Sequence, residues 1–307
     1  MSILGRVRAA IAAGRRRSRD FDRFWRAADR YAAVSGSRLA AAIAYYAFFA
    51  SFALGLLAIS ILGYVLSGNR TAEVGVQQYL TENLPFLKTS DIQSARHTVA
   101  IVGLVGLALT GANWVDGMCT SQRAMWRLDQ SPGNLFLRRL VDLAMLVGLG
   151  LLLFVSLWAT NGIQTLAIHL WTSLVPRHPL TGHLGRGLLS ILGLLLSFAV
   201  NVLMAAALLA AVPRLRVPPR RLFWPAMLVA AGLTLLSTVG RVLIHFTQRN
   251  PAYQVAGWAV GLLVFLNLFS QLLLFGAALL ATSDQGRVVD LATRRPVPAA
   301  AQESGQG

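Results

Sequence analysis

The chain has 307 residues, 55% hydrophobic and only 13% charged, with a formal net charge of +16 and a mean hydropathy of +0.58. A water-soluble domain carries about 25% charged residues. Too little polar side chain remains here to cover an aqueous surface, which excludes an ordinary soluble enzyme. One cysteine, Cys119, excludes an internal disulfide framework.

Residues 1–37 form a basic N-terminal segment. Its start is Ala/Gly-rich and ends in Arg15, Arg16 and Arg17. Phe21, Phe24, Trp25, Ala28, Tyr31 and Ala32 then recur at helical spacing, with Arg23, Arg26 and Arg30 opposite. That is a basic amphipathic helix with aromatics on its apolar face. Two placements fit it: flat in the membrane interface, or packed on the ends of a helical bundle. The segment does not read as a cleavable signal, since no short apolar core with a small-residue cleavage site follows it.

Six hydrophobic segments follow within residues 38–282, at about 39–66, 98–118, 140–161, 187–212, 222–246 and 254–281. Each is long enough to cross roughly 30 Å of hydrocarbon at about 1.5 Å per residue. Lipid offers the backbone no hydrogen-bond partner, so these are helices. The predicted fold is all-α, an integral membrane bundle of six transmembrane helices with an N-terminal amphipathic interfacial helix. Residues 283–307 are polar and Pro/Ala/Gly-rich and are expected to be a disordered tail. In the connection after the third span, Ile163, Leu166, Ala167, Leu170 and Leu174 predict a short outer helix ended by Pro176 and Pro179. Val76, Tyr79, Leu80 and Leu84 predict another in the first connection.

Lys and Arg alternate in density along the connections. Twenty-one of the 28 fall in the N-terminal segment, the second and fourth connections and the tail, six fall in the others, and Arg241 lies inside the fifth segment. This asymmetry predicts a multi-pass plasma (inner) membrane protein with both termini in the cytoplasm. It also accounts for the net charge without nucleic acid, which is not expected as a partner. The expected partner is the bilayer, through anionic headgroups on the cytoplasmic face. An oligomer is permitted but not specified.

The densest of these stretches, Val212 to Arg221, holds Arg214, Arg216, Arg220 and Arg221 with Pro213, Pro218 and Pro219. It reads as a cytoplasmic basic turn whose prolines stop one helix and start the next. Within it, Val212-Pro213-Arg214-Leu215-Arg216-Val217-Pro218 resembles the V-P-x-x-R-V-P turn of the YihY/BrkB-type inner-membrane proteins, once labelled ribonuclease BN-like. Asn250-Pro251-Ala252-Tyr253-Gln254, Ala44-Tyr45-Tyr46-Ala47-Phe48-Phe49-Ala50-Ser51 and Ala124-Met125-Trp126-Arg127 are similar to further family stretches. Gly276-Ala277-Ala278-Leu279 departs from the family's G-A-E-L ending by Ala278 in place of glutamate. The resemblance covers roughly residues 35–283 and implies six helices, with transport-like roles proposed for relatives.

Enzyme chemistry finds no foothold. His97, His169, His178, His183 and His245 map to outer connections or the outer end of a span, without a clustered His/Asp metal set. No Walker loop or G-x-S-x-G elbow occurs. Neither a catalytic residue, a metal nor a cofactor is expected. Polar residues inside the spans are costly in hydrocarbon and therefore stand out. They are Asn113, Asp116, Asp142, Asn201, Arg241, His245, Asn267 and Gln271. They predict a polar path between helices for an unknown solute. The competing expectations are boundary ion pairs of Asp116 and Asp142 with Arg123, Arg138 or Arg139, amide bonds between helices, and outward snorkelling of Arg241. The function expected is a transporter-like role, the alternative a structural or scaffolding membrane protein that binds anionic lipid or a partner. Gly103, Gly106, Gly111, Gly148, Gly150 and Gly193 are expected to let helices approach closely.

Overall fold

The computed structural model describes residues 15–68, 89–132, 134, 136–152, 195, 198–247, 254–283 and 286–297. Seven helices of more than ten described residues occur among them. They are α1 (Arg19–Ala33), α2 (Gly36–Gly68), α3 (Thr89–Met125), α4 (136–152), α5 (Phe198–Ala210), α6 (Pro219–Thr247) and α7 (Gln254–Ala281). Four stretches are long and apolar enough to cross a membrane: Gly36–Ala58, His97–Met125, Pro219–Gly240 and Ala259–Ala281. The helices expected around residues 76–84 and 163–174, and His169, His178, His183 and Gly193, lie outside the described residues.

Helix α1 begins at Ser18, whose hydroxyl accepts from the Phe21 amide. It ends at Val34 and at Ser35, which has a φ of 55°. Gly36 follows because the Tyr31 ring lies where any β-carbon would stand. The apolar face of α1 meets α7: Phe24 and Phe275 have ring centroids 4.9 Å apart, Tyr31 and Phe275 6.3 Å. Phe21 and Phe24 stay partly exposed.

Helices α2 and α3 pack most extensively on each other, and α7 is central, touching α1, α2, α3 and α6. Small residues set the close approaches. A β-carbon at Gly103 would come within 2.9 Å of the Leu57 amide nitrogen, and one at Gly276 within 2.5 Å of a Val229 methyl. Gly111 receives Leu146 of α4. For Gly148 and Gly150, no atom of the described residues stands within 4 Å of the notional β-carbons. Gly232, facing Leu272, makes the kind of contact predicted for them.

Two-residue strands complete the fold. β1 (Leu215–Arg216) pairs antiparallel with β2 (Val289–Asp290), which pairs with β3 (Arg295–Pro296). Residues 286–297 thus depart from the disorder expected of the tail. They fold back as a hairpin on the turn between α5 and α6, with Val288 and Leu215 buried. The physical reason is local. Val288 and Val289 supply β-branched strand residues, and Asp290 turns the chain by accepting from the Ala292 amide at 3.0 Å and the Thr293 hydroxyl at 3.0 Å. A core of Ile43, Met118, Met125, Leu209, Val212, Leu273, Leu274 and Leu280 lies directly against this end of the bundle.

Candidate functional site: the arginine-rich end and the polar groups of the spans

Sequence places the arginines at helix ends, and the structure shows what holds them there. The last carbonyls of a helix have no intrahelical donor and carry partial negative charge, which suits a guanidinium. Arg30 Nε donates to the Met125 carbonyl of α3 at 2.8 Å. Arg221 Nε and Nη2 donate to the Leu280 and Ala281 carbonyls of α7 at 3.0 and 3.2 Å, and Nη1 to the Gly286 carbonyl at 3.1 Å. The same guanidinium lies 5.1 Å from the Trp126 ring centroid. Gln122 Nε2 donates to the Leu208 carbonyl of α5 at 3.2 Å.

Arg123 sits at the centre of this end with its side chain fully buried. It forms a bidentate pair with Asp290, at 3.0 and 2.8 Å, and donates to the Pro213 and Asp129 carbonyls at 3.1 and 2.7 Å. One guanidinium therefore ties α3, the Val212–Arg221 turn and the hairpin. Burial pushes the Asp290 carboxyl up. The Arg123 bonds, the Ala292 amide and the Thr293 hydroxyl outweigh that, and its pKa falls below the ordinary 3.8.

A second cluster lies between α3, α4 and the turn. Arg138 Nε stands 3.1 Å from Asp116 Oδ1, and its Nη2 donates to Oδ2 at 3.3 Å. Arg139 donates to Asn113 Oδ1 at 2.7 Å. Asp142, wholly buried, accepts from Arg214 Nη2 at 2.8 Å. Arg214 reaches it from a left-handed backbone (φ 60°) and offers its own carbonyl to the Leu291 amide at 2.9 Å. Asp142 Oδ2 and Arg214 Nε, both buried, have no hydrogen-bond partner among the described residues. Asp116 thus finds one of its expected partners, while Asp142 pairs with a residue of the basic turn rather than Arg123, Arg138 or Arg139. The cluster holds three guanidinium groups against two carboxylates.

Deeper in the spans, Asn201 Nδ2 donates to Thr234 Oγ1 at 3.2 Å, joining α5 to α6. Gln271 donates to Asn267 Oδ1 at 2.6 Å along one face of α7. Arg241 and His245 lie in helical backbone of α6 and their side chains lie outside the described residues. Arg241 falls seven residues beyond Thr234 and three beyond Thr238, which puts the three on one stripe of the helix. It is twenty residues past Arg221, about 30 Å along the axis.

Of the basic turn, then, Arg214 and Arg221 turn inward to protein acceptors, whereas Arg216 and Arg220 are exposed. Sequence reasoning passed over Arg30, Arg123 and Asp290 as partners of one another's elements. A signal for Asp290 exists in the run Val288-Val289-Asp290, followed by Ala292, Thr293 and Pro296, a strand entering an aspartate turn. Among the described residues, no group of three or more His, Cys, Asp and Glu side chains gathers to hold a metal ion.

The comparisons agree with this architecture. The family model described as Virulence factor BrkB matches residues 27–302, hairpin included. An uncharacterized protein of Dickeya dadantii (strain 3937) is 27% identical over 293 residues, covering 90% of this chain and 87% of that protein. The inner membrane protein YhjD of Escherichia coli (strain K12) is 26% identical over 282 residues, covering 84% and 80%. No solved structure matches.

Proposed function

We propose a transport-like function for this chain, which belongs to the BrkB family of membrane proteins: it is a multi-pass inner-membrane protein that moves a small anionic solute rather than an enzyme. The observation that carries this is a ladder of polar side chains, of which Asn113, Asp116, Asn267 and Gln271 lie inside helices that have the length and apolarity of membrane spans. Asp116 and Asp142 stand at the arginine-rich end with Arg138, Arg139 and Arg214, beside the Asn113 amide. Amides stand deeper (Asn201, Asn267, Gln271), and Arg241 lies on the Thr234 stripe toward the far end. Each is expensive in hydrocarbon. The surplus of guanidinium over carboxylate favours an anion. The inner membrane as location rests on the charge asymmetry and on the similarity to the YhjD protein.

The six-span count is part of the same reading, supported by the contacts at one end. Arg30 meets Met125, Gln122 meets Leu208, and Arg221 meets Leu280. Chain that leaves this end and comes back crosses an even number of times, so α2–α3, α4–α5 and α6–α7 each make a return pair.

Flux in proteoliposomes of the purified full chain, screened over a panel of inorganic and small organic anions, tests the reading. For an anion that is moved, Arg241→Gln, Asn201→Leu and Asn267→Leu are each expected to cut flux at least about tenfold, one misplaced binding contact being worth about 1.4 kcal/mol or more. Unchanged flux in all three would show the path to be wrong. Absence of flux for the whole panel would leave the second reading, a structural membrane protein, which the exposed arginines below favour.

A further inference from the structure

The arginines at this end divide into two populations. Arg30, Arg123, Arg138, Arg139, Arg214 and Arg221 are bonded to carbonyls, amides or carboxylates. Arg216, Arg220, Arg287, Arg294 and Arg295 are exposed, and among the described residues none of these five has an ion pair or side-chain hydrogen bond. Structural necessity explains the first population and leaves the second unexplained.

Three of the five lie on adjoining backbone segments. Arg216 pairs with Val289 across the sheet, and the alternation of extended chain puts Arg287, two residues earlier, on the same outward face. The base of the hairpin abuts the start of α6. Gly286 (φ 77°) has its notional β-carbon 3.0 Å from the Pro218 ring, and its carbonyl is held by Arg221. Arg287 thus follows a residue that packs on Pro218, two residues before Arg220 in the first turn of α6. On that helix Arg220, Phe223 and Trp224 stand at i, i+3 and i+4, which is one face. Phe223 is 53% exposed and Trp224 69%, their rings edge to face at 5.8 Å. The Arg220 and Trp224 backbone positions are thus about 6 Å apart along the helix axis, four residues of rise. Polar charge followed by exposed aromatics one turn deeper is the order in which a bilayer presents phosphate and then acyl chain.

We propose that Arg216, Arg220 and Arg287, with Phe223 and Trp224, form a binding site for an anionic glycerophospholipid, phosphodiester on the guanidinium groups and acyl chain along the aromatic pair. The site needs a bilayer around the bundle but not a transported solute, so it stands or falls apart from the flux reading.

The test is lipid retention by the full chain, purified in neutral detergent and incubated with phosphatidylglycerol or phosphatidylcholine, followed by native mass spectrometry. Wild type is expected to retain phosphatidylglycerol preferentially, with the preference falling as salt rises. Each exposed guanidinium near an anionic surface is worth about a fivefold factor. The variant R216Q/R220Q/R287Q is therefore expected to lose on the order of a hundredfold while its unfolding temperature is unchanged. Trp224→Ala is expected to weaken long-chain phosphatidylglycerol and spare a short-chain form. Equal retention of the two lipids by wild type, or an undiminished preference in the triple variant, would overturn the site. Displacement of phosphatidylglycerol by equimolar glycerol phosphate would overturn the lipid assignment in favour of a soluble phosphate ligand.

Discussion

Arg123 shows how one residue can hold an end of the bundle together. Its guanidinium is buried, and such a group is tolerable only with its donors satisfied. Here Nε, Nη1 and Nη2 all find oxygen. Removing only the carboxylate leaves a buried cation without a counter-ion. Asp290→Ala is therefore expected to cost about 3–5 kcal/mol of stability, read as a loss in the chemical-unfolding midpoint in detergent. Arg123→Met in the same background is expected to recover part of that loss, because both charges are then gone. The recovery stays partial, since the Pro213 and Asp129 carbonyls lose their donor. If the double variant is less stable than either single one, the pair is not the source of the loss. The pH dependence has a definite sign. The folded Asp290 carboxyl titrates below its ordinary 3.8, so its contribution is fully present above that value and drains as pH falls through the lower, folded one. The wild-type advantage over Asp290→Ala should hold through neutral pH and shrink only below about pH 4. Little of this was legible in sequence. Arg123 counts there as a boundary charge and a candidate partner of Asp116 or Asp142, whereas the carboxylate it pairs with is 167 residues away. The ion pair of Asp116 was foreseeable, because Arg138 is a boundary charge of the next helix. That of Asp142 was not, because its Arg214 comes from a turn whose left-handed backbone decides where the side chain goes.

At the scale of elements, apolar length carried most of the information. The segments at about 39–66, 98–118, 222–246 and 254–281 correspond to α2, α3, α6 and α7, because twenty apolar residues admit no structure in lipid but a helix. The prolines of the basic turn behave as read: α5 has ended by Pro213, and Pro219 opens α6. The hairpin escaped notice because its strands are two residues long, too short for any periodicity, and lie in a Pro- and Ala-rich tail. What stabilises them is tertiary, namely Arg123, the Gly286 carbonyl under Arg221, and the burial of Val288 against Leu215. An element held by its contacts should take those contacts with it. Ending the chain after residue 285 is expected to expose Val212 and Leu215, unpair Arg123 and lower the unfolding temperature by several degrees, with loss of monodispersity in size-exclusion chromatography. Leu291→Ser, at a hairpin position 55% exposed, serves as control and should change neither. A truncated protein as stable as the full chain would mean that the hairpin only rests on the bundle.

For the whole molecule, charge and contact supply independent arguments about topology. The charge argument is a count: twenty-one Lys/Arg on one set of connections and six on the other. The contact argument is one of parity. Residues 30, 125, 208, 221, 280 and 290 are joined by side-chain bonds at a single end. The chain between successive members must therefore cross the bilayer an even number of times. Charge argues for which side this end faces, and parity requires only that α4 and α5 both span or neither does. Together they predict six spans with both termini and the arginine-rich end in the cytoplasm. Reporter fusions check this position by position. A fluorescent protein that matures only in the cytoplasm should glow when fused after residue 130, after 216 or at the C-terminus. Alkaline phosphatase, active only outside, should work after residue 75, 175 or 250. The fusion after 175 is the decisive one. An active phosphatase there requires α4 and α5 to span, whereas a fluorescent fusion would reduce the protein to four spans and leave the Asp142–Arg214 pair outside the bilayer, where it would carry no part of a solute path.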